Sequence, residues 1–332
     1  MLWNNTSAYR GFGSSCLLLA DSSCKYIITA VMCGQGIIRD VEQRLGAANI
    51  CYHTLDAKGI MVKIGGCRVD NGCAVVLYAD KRSCEYVVNL VLNIAANPDF
   101  MGCVYAFFPN EDFAGELEPT LFGERRIKAC IMPVCDAEVP SGEIGLCRGK
   151  MLASRDEFTI KINANLAGQP PLFDKVRVVE ALADLMMRVK GLENADCKVL
   201  VGNLVAKAVD TPVPLDAMVD GGVYCLKDGV RSAVMQMINN ITSELEYKYE
   251  IAIAATITPC EPCVENDMRV IDEVLQLAQS TGCKVRECEA VFASHPFGYL
   301  TRHYPSVMYY CCDESFACGD FLHSLVRNIL NR

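Results

Sequence analysis

The apolar run Gly102-Cys103-Val104-Tyr105-Ala106-Phe107-Phe108 stops at Pro109 and is followed by Asn110, Glu111 and Asp112. Two neighbouring carboxylates at the end of a rigid strand suit metal-assisted hydrolysis: one serves as general base toward a metal-bound water, the other as a ligand. Glu111 is the candidate base and Asp112 the candidate ligand. Asp80, closing the run Leu77-Tyr78-Ala79-Asp80, and His295, in Ala293-Ser294-His295-Pro296-Phe297, are further candidate ligands, and an imidazole there could titrate near neutrality. The plain alternative is a solvated or ion-paired acid cluster at a strand edge and a loop histidine satisfied by its neighbours. His53, His303 and His323 have no second histidine at ligand spacing.

A second constellation is Cys260-Glu261-Pro262-Cys263, which follows a strand-like run and precedes a helical pattern. A C-x-x-C at a helix N-terminus sits in the positive end of the helix dipole, which lowers a thiol pKa and suits thiol-disulfide exchange. The aromatic residue that commonly precedes such a pair is absent. A structural zinc site built from Cys260, Cys263, Cys283 and Cys288 is disfavoured by the loose spacing of its second pair.

The chain that must position these groups has 332 residues, 52% of them hydrophobic, enough for a large core and for two domains. Its formal net charge of -9, with no Lys/Arg-rich cluster, disfavours nucleic acid and anionic membranes as partners. No apolar run reaches membrane-span length, and the N-terminal residues lack the pattern of a signal peptide, so a cytoplasmic protein is expected. The 20 cysteines lie within apolar segments, as reduced core residues do, rather than in a short disulfide scaffold.

Strands are expected at 25–32, 60–64 and 74–78, the last two flanking the turn Val69-Asp70-Asn71-Gly72, with helices at 36–45 and 84–96 around the second strand pair. The acid-pair strand follows. From residue 156 the order changes: strand 157–162, helix 176–189, strands 198–206 and 222–226, helix 232–247, strand 250–257. This β-α-β-β-α-β order is the ferredoxin-like split unit. Helix 266–280, strands 285–291 and 306–311, and helix 319–330 then resume the first rhythm. The expected fold is α/β, with a discontinuous domain (1–153 and 258–332) interrupted by a ferredoxin-like insert (154–257).

Several segments in this order carry a resemblance. Phe107-Phe108-Pro109-Asn110-Glu111-Asp112 is similar to F-Q-P-A-E-E-G. Pro140 to Lys150 with Asp156-Glu157-Phe158-Thr159-Ile160-Lys161-Ile162 is similar to a signature of the form V-G-x-I-x-x-x-P-G-x-x-x-A-x-D-x-F-x-I-x-I. Asn266-Asp267 matches an asparagine-aspartate pair after a Pro-rich turn, and Phe297-Gly298-Tyr299 with Tyr304-Pro305-Ser306-Val307 matches E-D-F-x-Y…V-P-G-V. Together they resemble the zinc aminoacylase and carboxypeptidase family, especially its hippurate-hydrolase-like amidohydrolases, over nearly the whole chain.

The resemblance implies a zinc-peptidase-like α/β domain with an inserted lid or dimerisation domain, a two-zinc centre, and a homodimer formed through the insert. The ligands depart from the family pattern. There an R-A-D strand end leads through a long loop to H-A-C-G-H-D, whereas here only Lys81-Arg82-Ser83 separates Asp80 from the expected helix. The family histidine of G-L-H-x-x-P falls around Pro133-Val134-Cys135, that of G-G-H within Asn165-Leu166-Ala167-Gly168-Gln169, the asparagine of N-x-I-P on Thr211, and the terminal metal histidine at Cys311-Cys312-Asp313. A degenerate homologue is therefore expected, one that needs no cofactor and binds a small molecule or a protein partner. The alternatives are an amidohydrolase on N-acyl amino acids or dipeptides, with zinc or another divalent metal on an altered ligand set, and a thiol redox protein using Cys260 and Cys263.

Overall fold

A computed structural model of the chain describes residues 35–68, 70–110, 113, 115–117, 119–164, 177–208, 214–312 and 316–332. The expected strand at 25–32, the acids Glu111 and Asp112, residues 165–169 and Thr211 lie outside them.

Among the described residues, eight strands form one sheet. They are β1 (Tyr52–Thr54), β2 (Gly59–Gly65), β3 (Cys73–Tyr78), β4 (Cys103–Pro109), β5 (Arg126–Cys135), β6 (Glu143–Leu146), β13 (Lys284–Glu287) and β14 (Ser306–Cys311), in the order β1-β2-β4-β3-β5-β14-β6-β13. The centre, β4, β3, β5 and β14, is parallel. Strands buried on both faces read as unbroken apolar runs rather than alternating ones, and all six residues of β3 and all seven of β4 are buried. Helices α1 (Gln35–Ala47), α2 (Cys84–Ala96), α5 (Met268–Thr281) and α7 (Phe316–Asn331) cover one face, where Val88, Val91, Ile271, Leu325 and Val326 meet Val75, Leu77 and Val307. On the other face Tyr78, Phe107, Met132 and Met308 pack with Phe297 and Leu300 of the short helix α6 (Phe297–His303) and with the small sheet of β7 (Lys150–Leu152) and β12 (Val264–Glu265).

The turn Asp70-Asn71-Gly72 closes locally, with Gly72 N–H on Asp70 Oδ1 and Cys73 N–H on Asn71 Oδ1, both at 3.0 Å. It does not make a hairpin of β2 and β3. Strand β4 lies between them, antiparallel to β2 and parallel to β3. Burial decides the pairing: a fully apolar strand needs a neighbour on each edge, and a turn sequence alone does not fix which strands pair.

Residues 154–259 build the second sheet, from β8 (Ser154–Asn163), β9 (Cys197–Lys207), β10 (Asp216–Cys225) and β11 (Ala252–Pro259), in the order β11-β8-β10-β9. Helices α3 (Val178–Lys190) and α4 (Asp228–Tyr249) share its apolar face through Leu182, Leu185, Val234, Ile238 and Leu245. The element order is β-α-β-β-α-β, and every strand pair in the sheet is antiparallel. No helix among the described residues is long and apolar enough to cross a membrane.

Candidate functional site at the strand ends

The carboxyl ends of parallel strands are where an open α/β sheet presents its loops and its site. At this edge β3 delivers Asp80, β4 delivers Asn110, β5 ends at Cys135 and β14 at Cys311, followed by Cys312. Asn110 N–H donates to the Lys58 carbonyl at 2.9 Å, which anchors the chain at the point where it departs toward Glu111 and Asp112.

Asp80 is buried and committed to its own turn. Its N–H donates to Ser83 Oγ at 3.0 Å, and its Oδ1 accepts from both Ser83 N–H and Ser83 Oγ–H at 2.7 Å. This knot carries the chain from β3 straight into α2, which begins at Cys84. Burial pushes the Asp80 carboxyl pKa up, against the bonds from Ser83 that hold the ionised form. Buried, with Oδ1 held by Ser83, the carboxylate anchors the turn.

His295 sits just before α6. Its Nδ1 accepts the Phe297 N–H at 3.0 Å, so the ring proton resides on Nε2, which is buried with no hydrogen-bond partner. The ring meets Tyr78 edge to face at 5.4 Å, and Tyr78 in turn meets Phe107 and Phe297. Desolvation lowers the His295 pKa to about 3. The imidazole is therefore a neutral member of an aromatic cluster at neutral pH, and it does not titrate near neutrality.

At the positions where the family resemblance puts metal histidines around β5 and after Tyr310, the chain has Val134, Cys135, Cys311 and Cys312. Cys135 and Cys311 are register partners on neighbouring parallel strands with sulfurs 4.0 Å apart. No group of three or more His, Cys, Asp or Glu side chains among the described residues could hold a metal ion. Asp80, with Oδ1 engaged by Ser83, and His295, with one nitrogen accepting and the other carrying its proton, do not by themselves make a two-metal centre among the described residues.

The Cys260/Cys263 pair is not at a helix N-terminus. Strand β12 follows it, and α5 starts only at Met268, capped by Asp267, whose side chain accepts the Arg269 N–H at 2.9 Å. The helix dipole therefore does not reach the thiols, because its effect fades within a turn. Burial, with Glu157 and Glu261 nearby, instead raises the Cys260 pKa. Tyr299 OH donates to the Cys260 carbonyl at 2.6 Å, and a Cβ added at Gly298 would lie 2.3 Å from the Pro262 carbonyl oxygen, so α6 clamps this turn tightly. Both thiols are expected to react slowly with iodoacetamide at neutral pH in the folded protein. Fast, selective alkylation of either one would revive the redox reading.

Two polar features stand near the junction of the sheets, and only the first carries a sequence signal. Asn266 is buried and stitches three elements together: its amide donates to the Cys147 carbonyl at 2.9 Å and the Met308 carbonyl at 3.0 Å, and its oxygen accepts the Met308 N–H at 2.7 Å. The Asn266-Asp267 motif pointed to it, but its packing role was not legible. Glu261, buried, accepts from Ser294 Oγ at 3.2 Å and lies 3.9 Å from Arg155. Nothing in the sequence marked that cluster.

No protein-family model matches the chain. In sequence it is similar to the N-acetyldiaminopimelate deacetylases of Exiguobacterium sibiricum (24% identity over 67% of this chain) and Bacillus pumilus (23% over 62%). The matched regions span 63% and 58% of those relatives' own lengths. In structure it is similar to a dinuclear metal-binding peptidase of the M20 family from Bacillus subtilis, with a TM-score of 0.75 at 15% identity, covering 89% of this chain and 92% of that one. The α/β fold with its large central sheet is thus the fold of these peptidases, and the recognisable relatives are amidohydrolases.

Proposed function

For a chain related to the hippurate-hydrolase-like amidohydrolases in sequence and sharing the M20 peptidase fold, we propose a non-hydrolytic role: recognition of a small amide or acyl amino acid, or of a partner protein, at the carboxyl ends of the central strands. The observation that carries this reading is the Asp80–Ser83 knot. A two-metal centre takes four or more side-chain ligands and an open position for water. Here the strand that should lead into a ligand-bearing loop passes into α2 within three residues, and Oδ1 of its buried carboxylate is held by Ser83.

The comparisons on their own favour a second reading, a metal-dependent amidohydrolase or peptidase acting on N-acyl amino acids or dipeptides. The named relatives are deacetylases, and the structural neighbour binds two metals. In that reading Glu111 is the base, and Asp112 joins Asp80 and His295 as ligands. To ligate a metal through Nε2, His295 would have to give up the Phe297 N–H bond at Nδ1, whereas Asp80 has its Oδ1 engaged by Ser83.

One experiment separates the readings. Protein purified without added metal is expected to contain well under one zinc per chain, and to leave N-acyl amino acids intact when zinc, manganese or cobalt is supplied. Stoichiometric metal that Glu111→Gln and Asp112→Asn remove, with hydrolysis lost in step, would establish the amidohydrolase and end the non-hydrolytic proposal. Calorimetric titration with the same N-acyl amino acids reports on small-molecule recognition apart from turnover.

A further inference from the structure

We propose that Cys197 and Cys225 are a modification site, a buried dithiol that hydrogen peroxide oxidises to a disulfide tying β9 to β10. The two residues are register partners at the end of an antiparallel pair. In such pairs, positions alternate between those that exchange backbone hydrogen bonds and those that do not. The adjoining pair is bonded, with Leu226 N–H on the Asp196 carbonyl at 2.9 Å, so Cys197 and Cys225 occupy a non-hydrogen-bonded position. Cys197 confirms this independently: its N–H and C=O both engage Asn194, at 3.3 and 3.0 Å, on the side away from β10. At non-bonded positions the Cα atoms lie about 4.5 Å apart and the side chains are at their closest, within the range a disulfide spans.

The thiols already interact. The proximity of Cys225 favours the thiolate at Cys197 and lowers its pKa against the cost of burial, while Cys197 and burial together raise the pKa of Cys225. A thiolate-prone sulfur beside a protonated partner is the arrangement of an attacking and a resolving cysteine. The other close pairs lack one element of this. Cys135 and Cys311 face each other across parallel strands at 4.0 Å, and Cys260 is pushed toward the thiol form by burial and nearby carboxylates. Burial also selects the reagent: Cys197 and Cys225 are 0% and 1% exposed, and peroxide is scarcely larger than water.

The chemistry balances with peroxide as the oxidant. The Cys197 thiolate attacks one peroxide oxygen and the O–O bond breaks. The sulfur, having given up two electrons, becomes a sulfenic acid, and the departing hydroxide takes a proton to become water. Cys225 then attacks that sulfur, loses its proton, and expels the sulfenic oxygen as a second water. Two thiols and one peroxide give one disulfide and two waters.

The site also has a structural position worth controlling. Cys225 is the register partner of Ser154, whose hydroxyl donates to the Cys225 carbonyl at 3.0 Å, at the point where the chain enters the second sheet. A disulfide there would fasten the edge strand β9 next to the junction of the two sheets.

The test is a peptide map of the reduced, desalted full chain after treatment with equimolar and excess peroxide, with remaining thiols alkylated under denaturing conditions. The expected product is a Cys197–Cys225 cross-linked peptide lighter by about 2 Da than the two thiol peptides together, reversed by reductant. Cys197→Ser and, separately, Cys225→Ser should each abolish it. Peroxide that leaves both residues as thiols, drives Cys197 to the sulfinic acid without a cross-link, or links other cysteines in their place overturns the proposal, and the wild-type map decides this even if a serine variant fails to fold.

Discussion

Replacing Asp156 by alanine is expected to destabilise the four-stranded unit by roughly 3–5 kcal/mol, the usual cost of leaving one partner of a buried ion pair uncompensated. Asp156, on β8, and Arg231, on α4, have side chains only 3% and 14% exposed, and the guanidinium grips the carboxylate at two points, Nε on Oδ2 at 2.7 Å and Nη2 on Oδ1. Removing the acid strands the arginine's charge between sheet and helix. Urea unfolding followed by far-UV circular dichroism, with hydrogen exchange in β8 and α4 to localise the loss, measures the effect. Replacing both residues with apolar ones, as in Asp156→Leu with Arg231→Met, is expected to recover much of the stability, since it removes the stranded charge along with the bond. Lys248 and Asp184 give a control on the same unit: Lys248 is half exposed, so the pair is screened by solvent and Lys248→Ala should cost far less than Asp156→Ala. A single Asp156→Ala that behaves like this control would sink the argument.

The same pair illustrates what the sequence makes legible. Asp156 stands in the motif Asp156-Glu157-Phe158-Thr159-Ile160, and the alternation that buries Asp156, Phe158, Ile160 and Ile162 of β8 is the period-two signal of a half-buried strand. Arg231 lies 75 residues away and carries no such mark. Local signals fixed α2 at Cys84–Ala96 and β14 at Ser306–Cys311, because a proline follows α2 closely at Pro98 and another precedes β14 at Pro305. Strand β5 was not anticipated: it contains Pro133, which argues against a strand, yet it pairs with β14 through that position. The C-x-x-C pair misled for a related reason. Its spacing was visible, but the short strand β12, between the pair and α5, depends on pairing with β7, far earlier in the chain. Asp80 was identified as a candidate from its strand end. Its partner Ser83 was in view too, but whether the carboxylate opens to a cleft or closes on that serine depends on how tightly β3 and α2 are joined, which only the fold settles.

His295 should dominate the acid side of the stability profile. Its pKa is about 3 in the folded chain, against an ordinary value of 6.5. Between those values the unfolded chain binds a proton that the folded chain refuses. Stability is therefore full above pH 6.5 and falls as the pH drops toward 3, by up to about 1.4 kcal/mol per pH unit and roughly 4–5 kcal/mol across the window. Asp80 works in the opposite sense: its raised pKa means the folded chain takes up that proton first, which favours folding as the pH falls past its folded value. Asp70, held down to about 2 by Arg125, and the other carboxylates with lowered pKa lose their contributions only from about pH 4 downward, and they cancel when two proteins differing at one residue are compared. His295→Asn makes that comparison. Its side-chain oxygen can still accept the Phe297 N–H in an Asx turn, but it does not titrate. The variant is expected to be less stable at pH 7, because the smaller side chain leaves space against Tyr78, and to lose distinctly less stability than the wild type between pH 7 and pH 4.5. Urea midpoints at half-unit pH intervals read both effects. Parallel profiles would mean that the imidazole is protonated in the folded chain or hydrated there, and the reading of His295 as a buried neutral packing group would fail with them.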